Sequence, residues 1–177
     1  MRSYLLAGFL AALACPTNGL VFKDKIKQTI DGSTLSLLHD AQDATSVQFG
    51  TAPNPDSESW EFNTEGFADD EAVITPVDSS KTLVCEQGSP CHLDPAGPRI
   101  PIRVTRVDEK NPIFTFQDIS SSLYLSRTPD LHLELSDVQD ESIYFTLEAI
   151  HDLAVRSYRN LNHERNGPFW EVMYGYW

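Results

Sequence analysis

The residues of this 177-residue chain that could do chemistry are its five histidines, three cysteines and 26 carboxylates. His132 and Glu134 stand two apart, as do His92 and Asp94, so each pair shares one face of an extended strand and could begin a metal site. Neither spacing supplies a third ligand. Glu134, Asp137, Asp140 and Glu141 cluster about one turn, and Asp40 and Asp43 about another. Such hard oxygen groups could hold calcium, but the twelve-residue calcium loop with its glycine and terminal glutamate is absent. There is no Gly-x-Ser-x-Gly elbow, phosphate loop, dinucleotide fingerprint or His-Glu-x-x-His. A glycosidase needs two carboxylates at a set separation in space, and no pair among the 26 selects itself. We read these groups as the solvated face of an acidic protein, with no catalytic residue, no metal and no cofactor.

The cysteines point to a compartment instead. Arg2 followed by the apolar run Tyr4–Ala14 has the form of a secretory signal, too short to span a bilayer. Small residues permit cleavage after Ala14 or after Gly19. Cleavage after Gly19 removes Cys15 and leaves Cys85 and Cys91, which enclose the turn-forming Glu-Gln-Gly-Ser-Pro. A structural disulfide across that turn is expected, in a secreted, extracellular protein with residues 1–19 as signal peptide and residues 20–177 as one domain. The chain has no Asn-x-Ser/Thr acceptor for N-glycans.

The net charge of −13 argues against nucleic acid and the anionic bilayer surface as partners. A hydrophobic fraction of 41% is enough for a core. Short runs of alternating or apolar residues, broken by Gly, Pro, Asp and Ser, predict strands at residues 21–26, 34–38, 46–49, 60–62, 72–77 and 82–85. They continue at 100–104, 113–117, 122–126, 131–135, 143–148 and 169–174. About a dozen short strands of this kind predict an all-β barrel or sandwich. Residues 147–161 carry apolar groups at helical spacing and fit a short helix near the C-terminus; the same stretch also fits two strands.

Self-similarity narrows the architecture. Trp60-Glu-Phe62, Phe114-Thr-Phe116 and Trp170-Glu-Val172 form one series of aromatic boxes at nearly equal spacing, and Phe145-Thr-Leu147 offers a rival third member. Strand openings also echo, in Ser33-Thr-Leu-Ser-Leu37, Lys81-Thr-Leu-Val-Cys85 and Ser121-Ser-Leu-Tyr-Leu125. Three four-stranded repeats suggest a β-trefoil, whose aromatic boxes would lie in the shared core.

Trp60-Glu-Phe62 followed by the segment Val73–Cys85 resembles the repeat junction of the ricin-B-like lectins. The resemblance is best over residues 58–85 and implies the trefoil fold and, by analogy, a sugar-binding module. The family's box carries Gln two residues before its Trp, where this chain has Glu58, Pro112 and Pro168. The Asp that commonly follows the Leu/Cys strand is replaced by Glu86. No binding residue is therefore carried over from the family.

One feature is left for binding. The segment from Phe169 to Trp177 is dense in aromatics, and Tyr174, Tyr176 and Trp177 could stack on sugar rings or anchor a protein partner. Alternatively the tail is the last barrel strand, paired with residues 21–26. The expectation is a secreted, monomeric, non-catalytic binding module, an effector candidate, for carbohydrate or for a cell-surface or host protein. Two alternatives are a trefoil-type protease inhibitor acting through residues 94–99 or 127–130, and a lipocalin-like carrier of an apolar ligand.

Overall fold

The computed structural model describes residues 19–39 and 47–150. They form twelve strands: β1 (Val21–Ile30), β2 (Ser33–His39), β3 (Val47–Gly50), β4 (Trp60–Asn63), β5 (Glu71–Pro76) and β6 (Thr82–Val84). These are followed by β7 (His92–Asp94), β8 (Ile102–Arg106), β9 (Ile113–Asp118), β10 (Tyr124–Arg127), β11 (Leu133–Ser136) and β12 (Phe145–Ala149). Short 3-10 turns at Pro55–Glu58 and Glu141–Ile143 precede β4 and β12.

Six strands close a ring in which every neighbour is antiparallel: β1–β4–β5–β8–β9–β12 and back to β1. The other six pair within themselves as the hairpins β2–β3, β6–β7 and β10–β11. Each successive group of four strands therefore gives its first and last to the ring and its middle two to a capping hairpin. Three such units make a pseudo-threefold barrel, the architecture of a β-trefoil.

Local sequence accounts for the corners. The first two strands of each unit are joined by a turn that enters the left-handed region, at Asp31-Gly32 (φ 49° and 79°), Asp78 (φ 57°) and Ser122 (φ 62°). Asp, Ser and Gly tolerate that backbone where a β-branched residue would not. The echoed openings at 33, 81 and 121 fall at or just after these turns and lead into β2, β6 and β10.

Cross-strand partners fill the ring's interior: Phe62 lies opposite Ile74, Ala72 opposite Ile102, Val104 opposite Phe116, Phe114 opposite Phe145, and Leu147 opposite Ile26. All are buried, as is Trp60, whose Nε1 donates to the Leu37 carbonyl at 2.9 Å. Aromatic rings run through the units in contact, Phe22 on Phe62, Phe62 on Phe116, Phe116 on Phe145 and Phe145 on Phe49. Each fully buried ring contributes about 1.5–3 kcal/mol of transfer free energy. A lipocalin-like carrier needs an open barrel, and these side chains fill this one. The capping hairpins meet where Phe49 N–H donates to Leu131 O and Cys91 N–H to Leu133 O, both at 2.7 Å.

Four expectations are corrected. The aromatic boxes are out of register, because Trp60 and Phe62 close the first unit in β4 whereas Phe114 and Phe116 open the third in β9. The counterpart of Trp60 is Phe145, which likewise follows a 3-10 turn, so the rival third member is the right one. Residues 92–94, absent from the predicted strands, form β7. Residues 147–149 are extended in β12 rather than helical, as the strand reading of that stretch has it; residues 151–161 lie outside the described residues. The place beside residues 21–26 assigned to the tail is taken by β12 and β4.

Candidate functional site

The third unit carries an open groove of ≈ 280 Å³, between one face of the β10–β11 hairpin and the 3-10 turn Glu141–Ile143. Register explains its lining. Ser126 lies opposite Glu134, and Tyr124 opposite Ser136, so these four share a face. Ser126, Glu134 and Ser136 line the groove with Asp140, Glu141 and Ser142 from the turn and Val138 between them. Arg127, Thr128 and Pro129 close one end. Small hydroxyl side chains at 126, 136 and 142 leave the space that larger ones would occupy, and the Ser126 and Ser142 hydroxyls meet at 2.7 Å on its floor.

Gln28, on β1 of the first unit, holds both walls. It is 5% exposed. Its Nε2 donates to the carbonyls of Glu141, Ser142 and Tyr144 at 3.1, 3.0 and 3.1 Å. Its Oε1 accepts from Arg127 Nε at 2.7 Å. Arg127 Nη1 donates in turn to the Thr128 carbonyl at 3.3 Å, so the guanidinium is fixed before any ligand arrives. Asp140 caps the turn, accepting from the Ser142 amide at 2.8 Å and from the Ser142 hydroxyl. Those two bonds, with the nearby Arg127 charge, hold the Asp140 carboxyl below its ordinary range. The groove thus presents carboxyl groups, hydroxyls and one oriented cation: acceptors and donors for a polyhydroxylated ligand, with Val138 and Pro129 as its apolar parts.

Sequence reasoning found part of this site under other headings. Glu134, Asp140 and Glu141 were grouped as a calcium candidate, and residues 127–130 as an inhibitory loop. The structure brings Arg127 and the three carboxylates into one groove. Among the described residues no group of three His, Cys, Asp or Glu could hold a metal ion. Gln28 was missed because the strand was drawn to stop at Ile26. The usable signal was its place in the alternation Asp24, Ile26, Gln28, where a polar residue falls on a buried position. Cys85 and Cys91 form the expected disulfide, tying the ends of β6 and β7. Tyr174, Tyr176 and Trp177, the proposed stacking residues, lie outside the described residues, as do Asp40 and Asp43.

No family model and no curated protein matches the sequence. Solved structures do match. SeviL, solved bound to the asialo-GM1 saccharide, superposes with a TM-score of 0.60 at 16% identity, over 75% of this chain and 100% of its own. The designed threefold-symmetric protein ThreeFoil superposes with a TM-score of 0.56 at 14% identity, over 72% of this chain and 99% of its own. At such identities the likeness is one of fold. Ring closure, three capping hairpins and these two superpositions together make this chain a β-trefoil.

Proposed function

We propose that this protein is a secreted, non-catalytic module that binds carbohydrate, and that the groove of the third unit is where a sugar sits. The observation that carries the reading is the groove's lining of hydroxyls, carboxylates and a guanidinium already oriented by Gln28. Sugars present adjacent hydroxyl pairs, each donor and acceptor, and a preformed polar groove receives them without the cost of ordering its own side chains. The three acidic side chains Glu134, Asp140 and Glu141, against the single cation Arg127, favour neutral sugars over uronic or sialic acids. SeviL's saccharide is consistent with sugar binding on this fold. Tyr174, Tyr176 and Trp177 are the proposed stacking surface of the same module.

The test is a glycan and polysaccharide binding screen on residues 20–177, with and without EDTA. Binding to neutral glycans, lost in Glu134→Ala and Ser136→Tyr variants of unchanged melting temperature, supports the reading. A blank screen, or binding indifferent to both variants, rejects it.

A second reading has its own observation. Arg99 is exposed between Pro98 and Pro101, in a tight turn where the Ile100 amide donates to the Pro98 carbonyl at 3.0 Å. A stiff loop presenting Arg suits a trypsin-like cleft. Inhibition of a protease panel, abolished in Arg99→Ala, would establish it; no inhibition at micromolar protein ends it.

A further inference from the structure

The pseudo-threefold axis puts three equivalent positions beside the three capping hairpins, and the described residues fill two of them. In the first unit the carboxylate of Glu58 is turned inward, where Ser36 Oγ of β2 donates to it and Lys25 Nζ of β1 pairs with it at 2.6 Å. His39 Nε2 lies 3.1 Å from the Ser59 carbonyl, and Trp60 Nε1 bonds the Leu37 carbonyl. Large side chains and direct bonds join hairpin to turn there, where among the described residues the third unit shows the Ser126–Ser142 hydroxyl contact. In the second unit the chain itself occupies the position. Gly97 lies so close to β6 that a Cβ on it would fall 2.6 Å from Thr82 Oγ1 and 2.8 Å from Val84 Cγ2. The Cys85–Cys91 bridge also ties the end of β6 to the start of β7.

We infer that one of the three equivalent positions is open, so that each chain binds its sugar with a stoichiometry of one. This rests on the carbohydrate reading above and adds valency to it. A module with one site recognises a glycan but does not bridge two of them; it neither agglutinates cells nor precipitates a branched glycan. Its affinity is that of a single contact, without the 10²- to 10⁴-fold avidity gain that linked sites provide, a range set by linker geometry.

The experiment takes the neutral oligosaccharide bound best on a printed glycan panel and titrates it calorimetrically into the full secreted chain. The expected result is one site per chain, abolished in Ser136→Tyr, which fills the groove, and in Glu134→Ala. The monomer should not agglutinate erythrocytes displaying that glycan, whereas two copies fused in tandem should. Two or three sites per chain, or agglutination by the monomer at concentrations where it stays monomeric, overturn the valency while leaving sugar binding intact. Failure of every glycan to bind either the single chain or the tandem overturns both.

Discussion

Gln28 and Arg127, 99 residues apart in sequence, meet side chain to side chain at 2.7 Å across the boundary between the first and third units. The same amide bonds three carbonyls of the turn that leads into β12. One buried residue therefore fixes the groove's cation, its opposite wall and the seam where the ring closes.

Replacing Gln28 by Leu keeps the volume and strands those partners. An oriented hydrogen bond to a charged group is worth about 1.5–3 kcal/mol, and the turn carbonyls that lose the Gln28 amide add to the loss. Urea denaturation should show a destabilisation of about 2–4 kcal/mol. Glycan binding should fall further than the same loss of stability produces elsewhere in the barrel.

Trp60 separates packing from polarity. Trp60→Phe retains most of the ring but abandons the Leu37 carbonyl, for a cost of about 1–2 kcal/mol. Trp60→Ala opens a cavity at the centre and should cost about 3–5 kcal/mol. Equal effects in chemical denaturation would contradict the assignment of a working Nε1 bond.

The Glu58 cluster predicts the acid limb of stability. Burial alone would raise the Glu58 carboxyl, but hydrogen bonds from Lys25 and Ser36 and the lysine charge outweigh it and hold it below the ordinary 4.5. A depressed carboxyl stabilises the fold above its unfolded value and loses that contribution as pH falls through the folded one. Lys25, raised above 10.5 chiefly by its bond to Glu58, keeps its share until strongly alkaline pH. Glu58→Gln should thus be less stable than the parent near neutrality, with the gap narrowing as pH drops below 4.5. Thermal melts across that range read the difference directly.

The disulfide closes a short loop, so its contribution is modest. For the six-residue separation of Cys85 and Cys91 the chain-entropy relation gives about 2 kcal/mol. The Cys85→Ala/Cys91→Ala variant should remain folded with a lower denaturation midpoint, and reductant should shift the parent to match it.

At the aromatic end, Tyr176→Ala and Trp177→Ala should weaken glycan binding without moving the melting temperature. The ring is closed by β12, so a chain ending at residue 150 should fold and bind more weakly than the full one. Loss of folding in that truncation would return the tail to a structural role.

How much of this was legible depended on the range over which each signal acts. The echoes leading into β2, β6 and β10 could be read because the turns at Asp31, Asp78 and Ser122 impose a local backbone, and local requirements leave local residues. Burial in a shared core is less specific: Phe114 in β9 and Trp60 in β4 are both buried in it, and from sequence they looked equivalent although their places in the repeat differ. β7 has only Leu93 to bury, too little for a period. The groove depends on the register between β10 and β11 and on Gln28 reaching in from another unit, neither of which is written in any window of neighbouring residues.

Ring closure by β1 and β12 has a consequence for how the protein is made. Lys27 pairs with Glu148 across 121 residues, and Ile26 sits opposite Leu147. The barrel cannot be completed until almost all of it has been synthesised, and the loop entropy of that closure comes due before its contacts reward it. Folding should be slow for a domain of this size, governed by the meeting of the first strand with the last. A chain exported through a membrane would make that crossing before the meeting takes place.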